Sequence, residues 1–198
     1  MNYLAHIFLS GPDGKRQLGN FIGDAVKGSS YKAYPPAIRD GILLHRAIDG
    51  FTDGHPAVKE AIRSMRPDFG RYSGIILDIY FDYLLASHFG EFSTTPLRRF
   101  ARRFYRTLIF NRRHLPERIK RFMWHFILSG RLSRYARIDG VQDSLEIMAA
   151  YGRIDISAEK AAEYLSVHQE ELLSVFRPFF RELQAFCDGW QNGTAASG

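Results

Sequence analysis

The chain has 198 residues, of which 45% are hydrophobic and 24% are charged, and its formal net charge is +6. These values predict one globular domain with a sizeable core, and they exclude a chain that is disordered throughout. No stretch reaches the ~20 consecutive apolar residues of a membrane span, so we expect no transmembrane helix.

The first apolar segment, residues 4–9, predicts a short helix because Leu4, Ile7 and Phe8 have helical spacing. His6 interrupts this segment and no basic region precedes it, so we do not interpret it as a signal peptide. Cys187 is the one cysteine, which excludes an intramolecular disulfide and favours a reducing compartment. We therefore expect a cytoplasmic protein.

The next three helices are marked by apolar spacing and by proline. Residues 18–26 predict a second helix that ends near Gly28. Pro35 and Pro36 predict the start of a third, whose buried side is expected to carry Ile38, Ile42, Leu43 and Ile48. Pro56 suits the first turn of a fourth helix, with Thr52 or Asp53 as its cap.

The rest of the chain continues the helical pattern. A long, largely buried helix is predicted over residues 75–89, and further helices near 96–110, 116–130, 138–151 and 158–188. We find no strand pair, hairpin signal or repeat. The sequence therefore predicts an all-α, single-domain helical bundle over residues 1–190 and a disordered tail over 191–198.

Charge is distributed unevenly. Residues 96–137, here called the basic block, hold thirteen Lys and Arg against Glu117 alone, whereas residues 1–95 are neutral and residues 138–198 are acidic. Four arginines of the block have helical spacing and form what we call the arginine stripe: Arg99, Arg102, Arg103 and Arg106. A local concentration of this kind indicates an anionic partner, although a solvated helix face is the alternative.

The neutral first half holds a group of histidines and aspartates: His6, His45, His55, His88, Asp24, Asp49, Asp53, Asp78 and Asp82. His45 and Asp49 are four residues apart and share a helix face, and Asp78 and Asp82 repeat that spacing inside an apolar helix. Buried carboxylates that converge with imidazoles repel one another unless a cation lies between them. Such a mixed ligand set suits Mn²⁺, Fe²⁺ or Zn²⁺ better than Ca²⁺.

Each member also has an ordinary structural interpretation. An i,i+4 His/Asp pair is often a surface hydrogen bond, and Asp53 is better explained as a helix cap. His55 suits a loop, and His88 lies beside the predicted site. Arg46 and Lys27 either neutralise phosphate oxygens or are solvated surface charges.

Five motifs resemble the acyl-carrier-protein phosphodiesterase family, in matching order and spacing: residues 2–6, 19–24, 41–49, 51–56 and 77–82. The resemblance extends over about residues 1–188, and its specific motifs lie in the first ninety. It implies an all-helical fold similar to the HD-type metal phosphohydrolases, with the ligand-bearing helices in a rearranged order. It also implies hydrolysis of holo-acyl carrier protein, which releases 4′-phosphopantetheine and restores the serine of the apo protein. Mn²⁺ is the favoured metal, with Fe²⁺, Mg²⁺ or Zn²⁺ as alternatives.

The resemblance and the residue pattern together predict roles for individual side chains. The predicted metal ligands are His6, Asp24, His45 and Asp78. Asp49 and Asp82 are predicted either to contact these ligands or to be further ligands themselves. Asp82 is by preference the group that accepts the proton of the attacking water, and Arg46 is predicted to offset charge on the phosphate. Lys27 is a further phosphate contact. Tyr83 stands where the family pattern has a histidine, so rate or substrate will differ if that histidine acts in catalysis.

Acyl carrier proteins are small and acidic, so the arginine stripe is predicted to dock the substrate. One rival hypothesis is a phosphohydrolase that acts on a nucleotide or another small phosphoester, which does not need the stripe. A second rival is a non-catalytic module that binds nucleic acid or anionic lipid, since aromatic residues interleave with the arginines: Phe100, Phe104, Tyr105 and Phe110. Their helical spacing instead favours a core position, so nucleic acid is the weaker prediction. The sequence leaves the oligomeric state open.

Overall fold

The computed structural model describes residues 2–150 and 154–195. In these residues the chain is helical and contains no strand, which confirms the all-α prediction. The helices are α1 (Tyr3–Leu9), α2 (Gly14–Ile22), α3 (Pro36–Gly54), α4 (Pro56–Phe69), α5 (Ser73–Ser87), α6 (Phe89–Phe92), α7 (Leu97–Phe110), α8 (Glu117–Leu128), α9 (Arg131–Arg134), α10 (Ile138–Ala150) and α11 (Ala158–Ala195). Short 3₁₀ helices occupy Gly23–Ala25, Ser30–Ala33, Gly70–Tyr72 and Arg112–His114.

The ends of the chain differ in part from the predictions. Helix α11 continues to Ala195, so residues 191–195 of the predicted tail are helical. Residues 196–198 of that tail, and residue 151 of the helix predicted over 138–151, lie outside the described residues.

Local signals explain where the first helices begin. The Asp13 carboxylate accepts hydrogen bonds from the backbone N–H groups of Lys15 (2.7 Å) and Arg16 (3.2 Å), which caps α2. Helices α3 and α4 begin with Pro36 and Pro56, as predicted, because proline needs no N–H partner in the first turn.

Three local predictions are wrong. Helix α2 ends at Ile22, not near Gly28, and a 3₁₀ turn follows it. Helix α3 continues through Thr52 and Asp53, so neither residue caps α4; His55 takes that position without a side-chain cap bond. On α3, Leu44 is fully buried whereas Leu43 is only half-buried.

Helices α2 and α3 approach each other through glycine. A Cβ on Gly19 would lie 2.0 Å from the Ile38 carbonyl oxygen, and a Cβ on Gly41 would lie 2.1 Å from that of Arg16. Neither position can hold a side chain, so the two backbones pack directly against each other. This contact packs α2 against the first two turns of α3.

Helix α5 forms the centre of the molecule and contacts α1, α4, α10 and α11. Most of its residues are buried, and its aromatic side chains pack against α11, where the rings of Phe81 and Phe179 lie 5.4 Å apart. Such a helix is apolar on all sides because neighbours surround it. In the part of the chain that the structure describes, no helix combines the length and the apolarity needed to cross a membrane.

Candidate metal centre

Three side chains converge where α1, α2 and α3 meet. His6 comes from α1, and His45 and Asp49 come from successive turns of α3. Their potential ligand atoms all lie within 4.8 Å of one another, and no other group of three among the described residues does so. The Asp49 carboxylate reaches both imidazoles, with Oδ1 3.2 Å from His6 Nε2 and Oδ2 3.2 Å from His45 Nε2. The i,i+4 spacing of His45 and Asp49 therefore brings both side chains to one face of α3, beside His6.

The two imidazoles are stacked and share one neighbour. Their ring centroids are 4.0 Å apart with an interplanar angle of 22°. The side-chain oxygen Oδ1 of Asn20, on α2, lies 2.8 Å from His6 Nδ1 and 3.2 Å from His45 Nδ1. Asn20 is fully buried. Sequence reasoning did not single out this residue, since a neutral amide within a helix carries no chemical signal of its own.

The Nε2 atoms of both histidines lack ordinary partners. Each is buried and makes no hydrogen bond of acceptable geometry, although Asp49 is close to both. An unsatisfied buried nitrogen is costly, and two of them facing one carboxylate require an explanation. Two imidazole nitrogens and a carboxylate oxygen are good ligands for Mn²⁺, Fe²⁺ or Zn²⁺. The residues present therefore fit a divalent cation.

The electrostatics of the three side chains lead to the same interpretation. Burial and the neighbouring His45 lower the pKa of His6 to about 4. Burial opposes protonation of His45, but the carboxylates of Asp24 and Asp49 outweigh it and raise its pKa to about 9. Burial also opposes ionisation of Asp49, but His45 and His6 hold the pKa of its carboxyl far below the usual value. Without a cation, His45 is therefore protonated and its positive charge lies between the carboxylates of Asp24 and Asp49. A bound metal ion would take the place of this charge.

Asp24 lies at the solvent edge of this group. Its carboxylate is 81% exposed, and Oδ1 is 3.5 Å from His45 Nε2. The neighbouring His45 lowers the pKa of Asp24, so the carboxylate is ionised at neutral pH. The preceding residue, Gly23, leaves room for the His45 ring. The structure therefore places Asp24 beside His45.

Asp78 and Asp82 are not part of the converging group. Asp82 is fully buried on α5, and its two oxygens accept hydrogen bonds from the backbone N–H groups of Leu4 (2.8 Å) and Ala5 (3.0 Å). These are the N–H groups in the first turn of α1 that a capping side chain would bind, and Asn2 at the N-cap does not bind them. Asp78 is half-buried one turn earlier on α5. The contacts of Asp82 thus anchor α1, and the catalytic role predicted for this residue stays a prediction.

Tyr83, His55 and His88 also lie outside the converging group. The Tyr83 hydroxyl donates to Gln169 Oε1 at 2.7 Å, which links α5 to α11. His55 lies 3.2 Å from Glu182 of α11, and His88 Nδ1 lies 3.1 Å from the Leu84 carbonyl oxygen. Tyr83 and His55 therefore contact α11, whereas His88 binds the last turn of the adjoining helix, α5.

Arg46 supports a loop near the site. Its Nη2 donates to the carbonyl oxygens of Val26 (3.0 Å) and Gly28 (2.8 Å), and its guanidinium lies 5.1 Å from the centre of the Tyr31 ring. The loop that it holds carries Lys27, which is exposed and whose charge contributes to the lowered pKa of Asp24. Arg46 therefore acts on the loop, and Lys27 is an exposed cation close enough to Asp24 to influence its pKa.

Helix α7 presents the arginine stripe to solvent. All four arginines are exposed, and Arg103 Nη2 also donates to the Pro12 carbonyl oxygen at 2.8 Å. Of the interleaved aromatic residues, Phe104 is fully buried, but Phe110 is 76% exposed and departs from the expected core position. The helix is therefore strongly amphipathic, with its basic side outward.

Comparisons with known proteins agree with the resemblance seen in the motifs. A protein-family model described as acyl carrier protein phosphodiesterase matches residues 1–183. A protein of that name from Enterobacter sp. (strain 638) is 35% identical over 185 residues, which are 91% of this chain and 94% of the relative. Its namesake from Yersinia pestis is 32% identical over 183 residues, 91% of this chain and 94% of the relative. No solved structure matches the chain, so the likeness to HD-type phosphohydrolases stays a prediction.

Proposed function

The chain belongs to the acyl carrier protein phosphodiesterase family, and on this premise we propose that it hydrolyses holo-acyl carrier protein with a divalent cation, preferably Mn²⁺. The bond broken is the phosphodiester between the carrier's serine and 4′-phosphopantetheine. The products are apo-acyl carrier protein and 4′-phosphopantetheine.

One observation carries the proposal: the buried Nε2 atoms of His6 and His45 face the Asp49 carboxylate, and neither has a hydrogen bond of acceptable geometry. These three residues would hold the cation, with Asp24 as a fourth ligand or a neighbour. Compared with the set predicted from sequence, Asp49 replaces Asp78. A bound cation would lower the pKa of a water molecule and polarise the phosphoryl group.

Asp24 is the better candidate for taking the proton of the attacking water. Its carboxylate is exposed, is ionised at neutral pH and lies 3.5 Å from His45 Nε2. Asp82, the acceptor predicted from sequence, is fully buried and already accepts two backbone N–H groups. A general base must lie within reach of the proton that it removes, and the exposed carboxylate of Asp24 would be open to a water molecule that enters the site.

Two sets of positive charges, Lys27 and the arginine stripe, would attract the negative charges of the substrate. Lys27 lies next to the site on the loop that Arg46 holds, and would contact the phosphate oxygens. The arginine stripe on α7 would attract the acidic carrier protein over a longer range.

Mass spectrometry tests the proposal. We would incubate the purified protein with holo-acyl carrier protein and Mn²⁺, and follow the mass of the carrier with an EDTA control. Loss of the 4′-phosphopantetheine mass only in the presence of metal is the expected result. No loss from a protein that binds metal stoichiometrically would redirect the proposal to a small phosphoester. Absence of both metal binding and mass loss would leave the binding-module hypothesis.

A further inference from the structure

We propose that Asn20 is the positioning residue of the metal centre, because a single carbonyl oxygen fixes the orientation and the tautomer of both histidine ligands. This inference deepens the proposed function and rests on it. Oδ1 of Asn20 lies within hydrogen-bonding distance of both Nδ1 atoms, at 2.8 Å from His6 and 3.2 Å from His45.

The surrounding hydrogen bonds determine which end of the Asn20 amide faces the imidazoles. The Ser10 hydroxyl donates to the His6 carbonyl oxygen at 2.8 Å, so its own oxygen is left to accept. Asn20 Nδ2 lies 2.8 Å from that oxygen and donates to it. The amide nitrogen therefore faces Ser10, and the carbonyl oxygen faces His6 and His45.

Each imidazole must then donate from Nδ1, which leaves the lone pair of Nε2 directed away from Asn20. A carbonyl oxygen has two lone pairs, so one Asn20 can accept from two histidines. This shared acceptor also explains why the two rings stack, since both turn the same edge toward one atom. Histidine ligands of metals commonly donate their second N–H to an acceptor that fixes the tautomer. Here a single residue does this for two ligands.

A neutral amide suits this position better than a carboxylate. Asp24 and Asp49 already bring two negative charges near His45. A third carboxylate against the Nδ1 atoms would favour the doubly protonated imidazolium, which has no lone pair to offer a metal. Asn20 supplies the acceptor without that charge.

The test compares Asn20→Leu, which keeps the approximate volume but removes the acceptor, with Asn20→Asp, which keeps an acceptor. Gln17→Leu is the matched control, because Gln17 is buried one turn earlier on α2 and its Nε2 donates to the Gly11 carbonyl oxygen at 2.7 Å.

The measurements are Mn²⁺ affinity by competition with a chelator and thermal unfolding of the metal-free proteins. We expect Asn20→Leu to weaken Mn²⁺ binding by about 10- to 100-fold and Gln17→Leu to leave it within a few fold. Asn20→Asp should bind Mn²⁺ more tightly than Asn20→Leu. Equal affinity in wild type and Asn20→Leu would overturn the proposal.

A second measurement separates this inference from the proposed function. Long-range ¹H–¹⁵N NMR of the metal-free protein at about pH 10, where both imidazoles are neutral, reports their tautomers. Wild type should show the Nδ1–H form at His6 and His45, and Asn20→Leu should shift at least one to the Nε2–H form, which can donate to Asp49. If wild type binds no metal but shows these tautomers, the proposed function fails while the role of Asn20 stands. If wild type shows the Nε2–H form at both, the role of Asn20 is refuted whatever the metal does.

Discussion

The His45 side chain occupies the space next to Gly23 that a side chain on residue 23 would need. A Cβ on Gly23 would lie 2.3 Å from Cγ of the imidazole and 2.6 Å from its Cβ, closer than real atoms approach. The atoms that it would meet belong to the root of the His45 side chain, so the clash cannot be relieved by turning a flexible end. The position of His45 therefore depends on the absence of a side chain at residue 23.

Gly23→Ala should displace His45 and weaken Mn²⁺ binding by at least 10-fold, with a loss of about 1–3 kcal/mol in the free energy of unfolding from overpacking. Gly50→Ala is the control, since it lies on α3 with no atom within 4 Å of the added Cβ. That change should leave metal affinity intact and stabilise the helix by up to about 1 kcal/mol. Chelator competition and urea unfolding measure both quantities. Unchanged Mn²⁺ affinity in Gly23→Ala would show that His45 is not a ligand.

Much of the fold could be predicted from local signals, because a helix is a local structure. Apolar spacing located most of the helices, and Pro36 and Pro56 located two helix starts. For the same reason, the i,i+4 spacing of His45 and Asp49 predicted that these two side chains share one face of α3. Asn20 and Asp82 could not be predicted, because each owes its role to contacts with residues distant in the sequence. Asp82, for instance, binds the backbone of Leu4, 78 residues earlier.

Asp82 should act on stability and not directly on turnover. Asp82→Asn leaves one oxygen to accept from α1 and turns an NH₂ group toward the other backbone donor, so an N–H of Leu4 or Ala5 loses its partner. An unsatisfied buried donor costs about 1–3 kcal/mol. We expect a loss of that size in urea unfolding, whereas Asp53→Asn, at an exposed position, should change stability by less than about 0.5 kcal/mol. Full stability combined with abolished turnover would return Asp82 to the catalytic role predicted from sequence.

Asp82 should also make the free energy of unfolding depend on pH. Burial raises the pKa of Asp82 to about 7, against the hydrogen bonds from Leu4 and Ala5 that favour its ionised form. An unfolded aspartic acid has a pKa of about 3.9, so between these values the folded chain holds a proton that the unfolded chain has released. The contribution to stability is fully present below about pH 4 and is lost as pH rises through 7. The free energy of unfolding of wild type, relative to Asp82→Asn, should fall by up to about 1.4 kcal/mol per pH unit in this window. A constant difference from pH 4 to 8 would contradict the raised pKa.

Tyr83 should matter for packing and not for catalysis, because its hydroxyl donates to Gln169 on α11. Tyr83→Phe removes that hydrogen bond but keeps the ring, so we expect a loss of about 1 kcal/mol in the free energy of unfolding and unchanged kcat and KM. Gln169→Leu should cost a similar amount, and the double variant should cost less than the sum of the two. A drop in kcat for Tyr83→Phe without a drop in stability would instead support a catalytic role at this position.

The arginine stripe should affect the binding of holo-acyl carrier protein and not the rate of the chemical step. Reversing charge in Arg102→Glu/Arg106→Glu should raise KM for holo-acyl carrier protein by about 10-fold or more and leave kcat nearly unchanged, because both side chains are exposed on α7. Lys59→Glu is the control, since it reverses an exposed charge on α4. The wild-type kcat/KM should also fall as salt rises, since exposed charges are screened over ~10 Å at 0.1 M salt. Arg103 is left intact because it also binds the Pro12 carbonyl oxygen. If kcat/KM does not depend on salt, and wild type, the double arginine variant and Lys59→Glu have the same KM, the arginine stripe does not bind the substrate. That result would favour a small phosphoester as the molecule hydrolysed.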